Sequence, residues 1–141
     1  MNASDLGAVL VVDDSPEFLD SVDWALRRLG AGSPRLHATS GDEALATLRS
    51  LPILPGLVLL DLNLPGLDGR QALREIRADP RLAPLVVAVL STSDDPRDLA
   101  VTREVGADAY LVKPMRLDAL LDKLGALFDA LPDPSRLPFP L

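Results

Sequence analysis

Five polar side chains in this sequence have types and spacings that would let them do chemistry together. Each lies at or next to the end of an apolar run, and the five are Asp13, Asp14, Asp61, Ser91 and Lys113. Three carboxylates that come close repel one another, so one of them would have to take up a proton unless a cation lay among them. The chain has no cysteine, and its one histidine, His37, lies inside a different short run. The cation should therefore be a hard ion that prefers oxygen ligands, such as Mg²⁺.

A lysine and a hydroxyl beside such a cation would form a cradle for an anion. An anion held near Mg²⁺, a carboxylate, Lys113 and Ser91 is best explained as a phosphoryl group. Asp61 is the first candidate for the reactive carboxylate, because it ends the apolar run 57–60 and is followed by two glycine-containing loop signals. Any one of the five residues alone is also explained as a cap or turn residue at a strand end. All five together favour a common site.

The elements that would position these residues alternate regularly along the chain. Four apolar segments predict β-strands at residues 8–12, 57–60, 85–90 and 109–112, and the short segment 35–38 predicts an edge strand. Five amphipathic segments predict helices at residues 16–29, 40–48, 70–78, 95–105 and 117–131. Ser15 before Pro16, and Ser40 three residues before Glu43, have the spacing of helix N-caps. This alternation predicts a doubly wound α/β domain whose parallel strands end at one edge of the sheet.

Length and charge exclude several classes of function. A chain of 141 residues is long enough for one domain with a substantial core. Its formal net charge of −7 argues against direct binding to nucleic acid or to an anionic membrane. The apolar run near the N-terminus ends after five residues at two aspartates, which fits neither a signal peptide nor a membrane span. The absence of cysteine fits a reducing cytoplasm, which is the location we expect.

From about Leu6 to Leu131 the sequence resembles the receiver domain of two-component response regulators, the CheY-like family. The resemblance rests on the acidic pair Asp13-Asp14, on the acceptor segment 57–61 with the loop 62–69, on Ser91 after an apolar strand, and on the segment 106–114. It implies a flavodoxin-like fold with a five-stranded parallel sheet in the order 2-1-3-4-5 and helices on both faces. We therefore expect a receiver domain at residues 1–131 and a proline-rich arm at residues 132–141.

The resemblance also implies the roles of the site residues. Asp61 would accept a phosphoryl group from a phosphohistidine of a sensor histidine kinase. Mg²⁺ would be held by Asp14, by Asp61 and by the backbone carbonyl of Asn63, with Asp13 contributing through water. The protein would then be a phosphoacceptor that promotes its own phosphorylation and dephosphorylation, and not an enzyme acting on another substrate.

A second group of residues would report the phosphoryl group to the surface, again as the resemblance implies. Lys113 would pair with the phosphoryl oxygens, and Ser91 would turn inward to donate a hydrogen bond to them. Tyr110 would follow from an outward to an inward rotamer and switch a surface formed by the fourth helix, the fifth strand and the fifth helix. In this family the Lys113–Pro114 peptide bond is usually cis, so Pro114 is a candidate cis-proline.

Two other functions compete with this hypothesis. A phosphatase of the haloacid-dehalogenase type also uses an aspartate at a strand end with Mg²⁺, but it needs a second aspartate two residues later. That position is Asn63, which argues against a phosphatase. An inert pseudo-receiver that serves only as an interaction module is the other alternative, and the presence of all five site residues argues against it.

The narrower resemblance and the C-terminal residues suggest partners. The loop after Asp61 looks most like that of stand-alone regulators that partner phytochrome-type histidine kinases. A broad apolar stripe on the last helix predicts a homodimer through the fourth helix–fifth strand–fifth helix face; its residues are Leu124, Leu127, Phe128 and Leu131. In the arm, Leu137, Phe139 and Leu141 alternate with prolines, and both packing on a neighbouring molecule and a disordered tail are open interpretations.

Overall fold

The computed structural model of the protein describes residues 7–31, 34–131 and 133–141. Two predicted boundary residues, Leu6 at the start of the resemblance and Pro132 at the start of the arm, lie outside these ranges. Within them no helix is both long enough and apolar enough to cross a membrane.

Five parallel strands form one sheet in the order β2-β1-β3-β4-β5. The strands are β1 (Val9–Val12), β2 (Arg35–Ala38), β3 (Leu57–Asp61), β4 (Val87–Ser91) and β5 (Ala109–Val112). The helices are α1 (Pro16–Leu29), α2 (Gly41–Ser50), α3 (Gly69–Ala78), α4 (Pro96–Val105) and α5 (Leu117–Asp129). Helices α1 and α5 cover one face of the sheet, and α2, α3 and α4 cover the other. The predicted doubly wound α/β fold with this strand order is confirmed.

Burial on both faces explains why the strands are apolar without alternation. Every residue of β1, β3 and β4 is buried. The helices begin at the predicted caps: Ser15 Oγ accepts a hydrogen bond from the Phe18 N–H at 3.2 Å, and Ser40 Oγ accepts one from the Glu43 N–H at 3.1 Å. Helix α1 ends at Gly30, whose φ of 67° is the left-handed conformation that glycine adopts without strain.

The apolar stripe of α5 is buried inside the chain. Its four residues Leu124, Leu127, Phe128 and Leu131 are at most 8% exposed and belong to the same core cluster as α1. The expectation that these side chains supply surplus apolar surface for a dimer is therefore wrong. The stripe correctly indicated burial, but its width could not reveal that α1 packs along α5 and covers it.

The C-terminal arm packs on its own domain. Pro134–Arg136 form one turn of 3-10 helix, and the following apolar residues pack against the two core clusters. The structure thus adds a third arrangement to the two predicted ones, in which described residues 133–141 lie on the chain to which they belong.

Candidate functional site

The carboxyl ends of four neighbouring strands bring the five predicted site residues to one edge of the sheet. In the parallel register, Val12 pairs with Leu60 and Ser91 pairs with Val112. Residues at or just after these pairs therefore lie at a similar height along the sheet, and they are Asp13, Asp61, Ser91 and Lys113. The predicted convergence is confirmed by contacts for the ends of β1, β3 and β5.

Lys113 joins two buried carboxylates. Its Nζ donates hydrogen bonds to Asp13 Oδ2 at 2.7 Å and to Asp61 Oδ2 at 3.2 Å. Asp13 is fully buried and Asp61 is 4% exposed, whereas Asp14 faces solvent. One carboxylate oxygen from each of the three aspartates lies within 4.8 Å of the others. The site therefore holds three formal negative charges against one ammonium group.

Burial raises the pKa of Asp61 above its ordinary value, because a desolvated carboxylate is harder to ionise. The neighbouring charge of Asp13 acts in the same direction. The backbone N–H of Asn63, which donates to Asp61 Oδ1 at 3.1 Å, and the Lys113 ammonium both lower this pKa, but they do not outweigh burial. Asp61 is therefore a carboxylate whose negative charge is only partly compensated by the protein.

The chemistry of this cluster fits a hard divalent cation. Its ligand atoms are all carboxylate oxygens, the type that Mg²⁺ prefers, and one of the three residues is open to water, which Mg²⁺ usually retains in its coordination shell. A dipositive ion would balance the net charge that Lys113 leaves on the three aspartates. Asn63 is exposed two residues beyond Asp61. The predicted use of its backbone carbonyl as a ligand stays a prediction.

The loop after Asp61 folds back tightly against β3. The N–H of Gly69, the first residue of α3, donates to the Leu62 carbonyl at 3.1 Å. A Cβ at Gly69 would overlap the backbone carbonyl of Asp61, so only glycine fits without displacing the strand end. The Asp68 side chain then caps α3 by accepting a hydrogen bond from the Gln71 N–H at 2.9 Å. This packing fixes the backbone that carries the Asp61 side chain.

Ser91, the last residue of β4, is hydrogen-bonded to the loop that follows it. Ser91 is buried, and its Oγ accepts a hydrogen bond from the Ser93 N–H at 3.1 Å. The Tyr110 hydroxyl donates to the Ser93 carbonyl at 2.8 Å, and the Tyr110 side chain is fully buried. The structure thus has Tyr110 in an inward position.

Three contacts near the site were not predicted from the sequence. Arg70 donates a hydrogen bond to Asp98 Oδ1 at 2.9 Å, and the Ser93 hydroxyl donates to Asp98 Oδ2 at 2.7 Å, which ties the start of α3 to the start of α4. The Lys113 ammonium also lies over the Phe18 ring, 4.4 Å from its centroid. The contacts of Arg70 with Asp98 and of Lys113 with Phe18 join residues far apart in the chain, and no periodicity or spacing in the sequence marks them.

The predicted cis bond before Pro114 is wrong. Among the described residues, the cis peptide bond lies between Phe139 and Pro140, and Lys113–Pro114 is trans. The trans form is the default for a bond before proline by about 0.5–1 kcal/mol, so a cis bond needs a specific packing reason.

Comparison with known proteins identifies the family. A family model for the response regulator receiver domain matches residues 9–125. The DNA-binding response regulator MtrA of Mycolicibacterium smegmatis is 36% identical over 118 residues, which cover 84% of this chain but 49% of that protein. The chain therefore spans about half the length of this relative. Protein PilH of Pseudomonas aeruginosa is 31% identical over 122 residues, covering 86% of this chain and 98% of PilH.

A solved structure agrees over a larger part of the chain. The phosphorylated cyanobacterial phytochrome response regulator RcpA superposes with a TM-score of 0.80 and 30% identity, over 93% of this chain and 97% of RcpA. Family model, curated relatives and fold all point to one assignment. The chain belongs to the response regulator receiver domain family.

Proposed function

We propose that the protein is a phosphoacceptor of a two-component system and that Asp61 receives the phosphoryl group from a sensor histidine kinase. The observation that carries this proposal is the position of Asp61: a buried carboxylate with a raised pKa, held by Lys113 and within 4.8 Å of two further carboxylates. Asp61 is at the same time nucleophilic, incompletely neutralised and next to a group of oxygen ligands.

In the proposed reaction an Asp61 carboxylate oxygen attacks the phosphorus of a phosphohistidine. A P–O bond forms, the P–N bond breaks, and the kinase imidazole leaves with the electron pair and takes up a proton. Mg²⁺, when bound by Asp14, Asp61 and the Asn63 carbonyl, with Asp13 linked through water, would neutralise charge on the phosphoryl oxygens.

The remaining site residues have distinct roles in the proposal. Lys113 pairs with a phosphoryl oxygen. Its Nζ already lies within hydrogen-bond distance of Asp61, the residue that would carry the phosphoryl group. Ser91 donates its hydroxyl to a second phosphoryl oxygen while its Oγ keeps the hydrogen bond from Ser93. Tyr110 transmits the change through the Ser93 carbonyl. The same groups would position water for hydrolysis, so the protein would promote its own dephosphorylation.

Incubation with Mg²⁺ and acetyl phosphate tests the proposal directly. Intact-protein mass spectrometry should show the addition of one phosphoryl group to the wild-type chain and none to Asp61→Asn. Asp122→Asn, which changes an exposed aspartate of α5, is the matched control and should be phosphorylated like the wild type. No uptake by the wild type, or equal uptake by Asp61→Asn, would show that the proposal is wrong.

The finer choice of partner is a sensor histidine kinase of the phytochrome type. The likeness to RcpA, which is named as a phytochrome response regulator, supports this choice. Phosphotransfer from a purified phytochrome-type kinase, compared with transfer from an unrelated histidine kinase at equal concentration, tests it. The cytoplasm stays the predicted location.

We also propose that the chain self-associates through the face formed by α4, β5 and α5. The buried α5 stripe no longer supports this, but Val101 on α4 and Leu117 at the start of α5 are 40% and 47% exposed. Sedimentation of the wild type and of Val101→Asp should show a dimer that the substitution weakens. A wild type that stays monomeric at all concentrations would contradict self-association.

A further inference from the structure

The C-terminal arm follows the free edge of the sheet. Strand β5 is one of the two edge strands of the sheet, and its outer edge has no neighbouring strand among the described residues. Leu137 and Leu141 pack against the core cluster under α1 and α5, whereas Phe139 packs against the cluster on the other face. In a regular extended strand residues 137, 139 and 141 would all face the same side. The arm instead bends at Leu137 and Phe139, so that its apolar side chains lie on both sides of the sheet edge. The arm therefore covers an edge that would otherwise be open to another chain.

Tyr110 is the residue of β5 that the arm contacts most directly. The Leu141 N–H donates a hydrogen bond to the Tyr110 carbonyl at 2.7 Å. The Phe139 ring lies 5.7 Å from the Tyr110 ring, centroid to centroid, at an interplanar angle of 56°, an arrangement that is favourable for aromatic pairs. The Arg103 guanidinium lies 5.2 Å from the Phe139 centroid. The Leu141 N–H and the Phe139 ring thus both contact Tyr110, and Arg103 of α4 contacts the same Phe139 ring.

A short series of hydrogen bonds continues from Tyr110 to the candidate phosphorylation site. The Tyr110 hydroxyl donates to the Ser93 carbonyl at 2.8 Å, and the Ser93 N–H donates to Ser91 Oγ at 3.1 Å. Phe139 is thus linked to the site edge through Tyr110, Ser93 and Ser91. If the arm leaves, the Tyr110 ring loses its cover and its inward position becomes less favourable. The loop that orients Ser91 then loses one of its fixed points.

The arm is held weakly enough to be released. Pro138 and Pro140 have no N–H, so they cannot donate to the β5 backbone. Among the described residues, the hydrogen bond from Leu141 is the one backbone bond between the arm and β5. Leu137, Phe139 and Leu141 each stay partly exposed. A segment with this few contacts opens at much lower free energy than the core strands beside it.

We propose that residues 133–141 are an intramolecular ligand of the β5 edge, and that their docking is coupled to the phosphoryl site through Tyr110 and Ser93. The coupling rests on the proposed function, whereas the docking does not. Because coupling is reciprocal, a docked arm favours phosphoryl binding by the same factor by which phosphoryl binding favours docking. A partner that binds the β5 edge must first displace the arm, so the docked arm blocks access to this surface.

Amide hydrogen exchange and binding of a phosphoryl mimic, both measured on the full chain, test the two halves of the proposal. In Phe139→Ala the Leu141 amide should exchange about tenfold faster than in the wild type. The same variant should bind fluoroberyllate with Mg²⁺ about fivefold more weakly, and fluoroberyllate should slow Leu141 exchange in the wild type by a similar factor. Arg136→Ala changes an exposed arm side chain and is the matched control, which should behave like the wild type in both measurements.

A second variant separates docking from coupling. Tyr110→Phe keeps the ring that contacts Phe139 and removes the hydroxyl that contacts Ser93. Its Leu141 amide should exchange as slowly as in the wild type, but exchange should no longer respond to fluoroberyllate.

Three outcomes overturn the proposal. Unchanged Leu141 exchange in Phe139→Ala refutes docking. If Leu141 exchanges faster in Phe139→Ala but this variant binds fluoroberyllate within about twofold of the wild-type affinity, coupling is refuted, because reciprocity requires both quantities to change. Failure of the wild type itself to bind fluoroberyllate refutes the proposed function and the coupling with it, and the exchange rates of Phe139→Ala still decide whether the arm docks.

Discussion

Replacing Asp61 by asparagine should stabilise the metal-free protein. The substitution keeps the shape of the side chain and an oxygen that can accept the Asn63 N–H, but it removes a buried negative charge. In the wild type this charge lies within 4.8 Å of two other carboxylates and 3.2 Å from the Lys113 ammonium. The substitution stabilises the protein if the cost of burying the Asp61 charge and its repulsion by the other carboxylates outweigh its attraction to Lys113.

Coulomb energies give the expected size of the change in the free energy of unfolding. At an effective dielectric constant of about 20, a carboxylate pair at the upper bound of 4.8 Å repels by about 3.5 kcal/mol, and the Lys113 pair at 3.2 Å attracts by about 5 kcal/mol. The two repulsions together exceed the attraction by about 2 kcal/mol. Solvent around the exposed Asp14 reduces this excess, while the burial of Asp61 adds a desolvation cost. A gain of about 2 kcal/mol would raise the melting temperature of a chain of this size by about 7 °C.

The pH dependence of the gain provides an independent check. The pKa of Asp61 is raised in the folded protein, so the folded state binds this proton more tightly than the unfolded state. Stability from this group is then lost as pH rises from the unfolded value, about 3.9, through the folded pKa. The asparagine side chain of the variant does not titrate. The difference between Asp61→Asn and the wild type should therefore be small near pH 4 and should reach its full size above the folded pKa.

Urea unfolding with a chelator, followed from about pH 4 to pH 8, measures both effects. Asp122→Asn, at an exposed position, should change the free energy of unfolding by less than about 0.5 kcal/mol. Addition of Mg²⁺ should stabilise the wild type, by about 1.4 kcal/mol if its concentration is about ten times its dissociation constant, and should stabilise Asp61→Asn less. If Asp61→Asn is less stable than the wild type at pH 8, the attraction to Lys113 dominates and the reasoning is refuted.

Three further substitutions, one of them with a matched control, test contacts at the site and at the opposite edge of the sheet. Lys113→Met should lower the free energy of unfolding by about 3 kcal/mol, because Asp61 and its buried neighbour lose their cation; an unchanged urea midpoint would contradict this. Arg77→Ala should also cost about 3 kcal/mol, since the guanidinium donates five hydrogen bonds to three backbone carbonyls and one carboxylate. Arg74→Ala, on the exposed side of the same helix, should stay within about 0.5 kcal/mol of the wild type. Gly69→Ala should cost at least about 2 kcal/mol in the same assay, because the added Cβ would overlap the carbonyl of Asp61; a variant as stable as the wild type would contradict the close packing.

The fold was largely predictable, because burial and capping act locally. Apolar runs marked four of the five strands, and serine caps marked the starts of α1 and α2. The least accurate strand boundary was the start of the fourth strand, predicted at residue 85 but observed at Val87. Leu85 belongs to a turn in which its N–H donates to the Leu82 carbonyl at 3.0 Å. An apolar residue thus indicates burial, but it does not by itself indicate an extended backbone.

The site was predictable as a set of residues but not as a geometry. The alternation of strands and helices predicts that the strand ends share one edge of the sheet, but knowing which strand ends are neighbours requires the strand order, which came from the resemblance. Even with that order, the sequence could not show that Lys113 bonds two carboxylates at once. The contact between Arg70 and Asp98 was also beyond its reach, because it depends on the relative positions of α3 and α4. Likewise, the alternation of apolar residues and prolines in the arm left open whether the arm packs or is disordered, and it did not indicate the arm's own domain as the surface.

Two separate routes lead from the candidate site to the surface of the domain, one from Asp61 and one from Ser91. One passes through Lys113, whose ammonium lies over Phe18 and therefore contacts α1. The other passes from Ser91 through Ser93 to Tyr110 and the arm. A new phosphoryl oxygen would compete with Asp13 for Lys113 on the first route, but would leave the Tyr110 hydrogen bond intact on the second. Because Tyr110→Phe interrupts the second route alone, a fluoroberyllate response that persists around Phe18 and disappears at Leu141 would show that the two routes act independently.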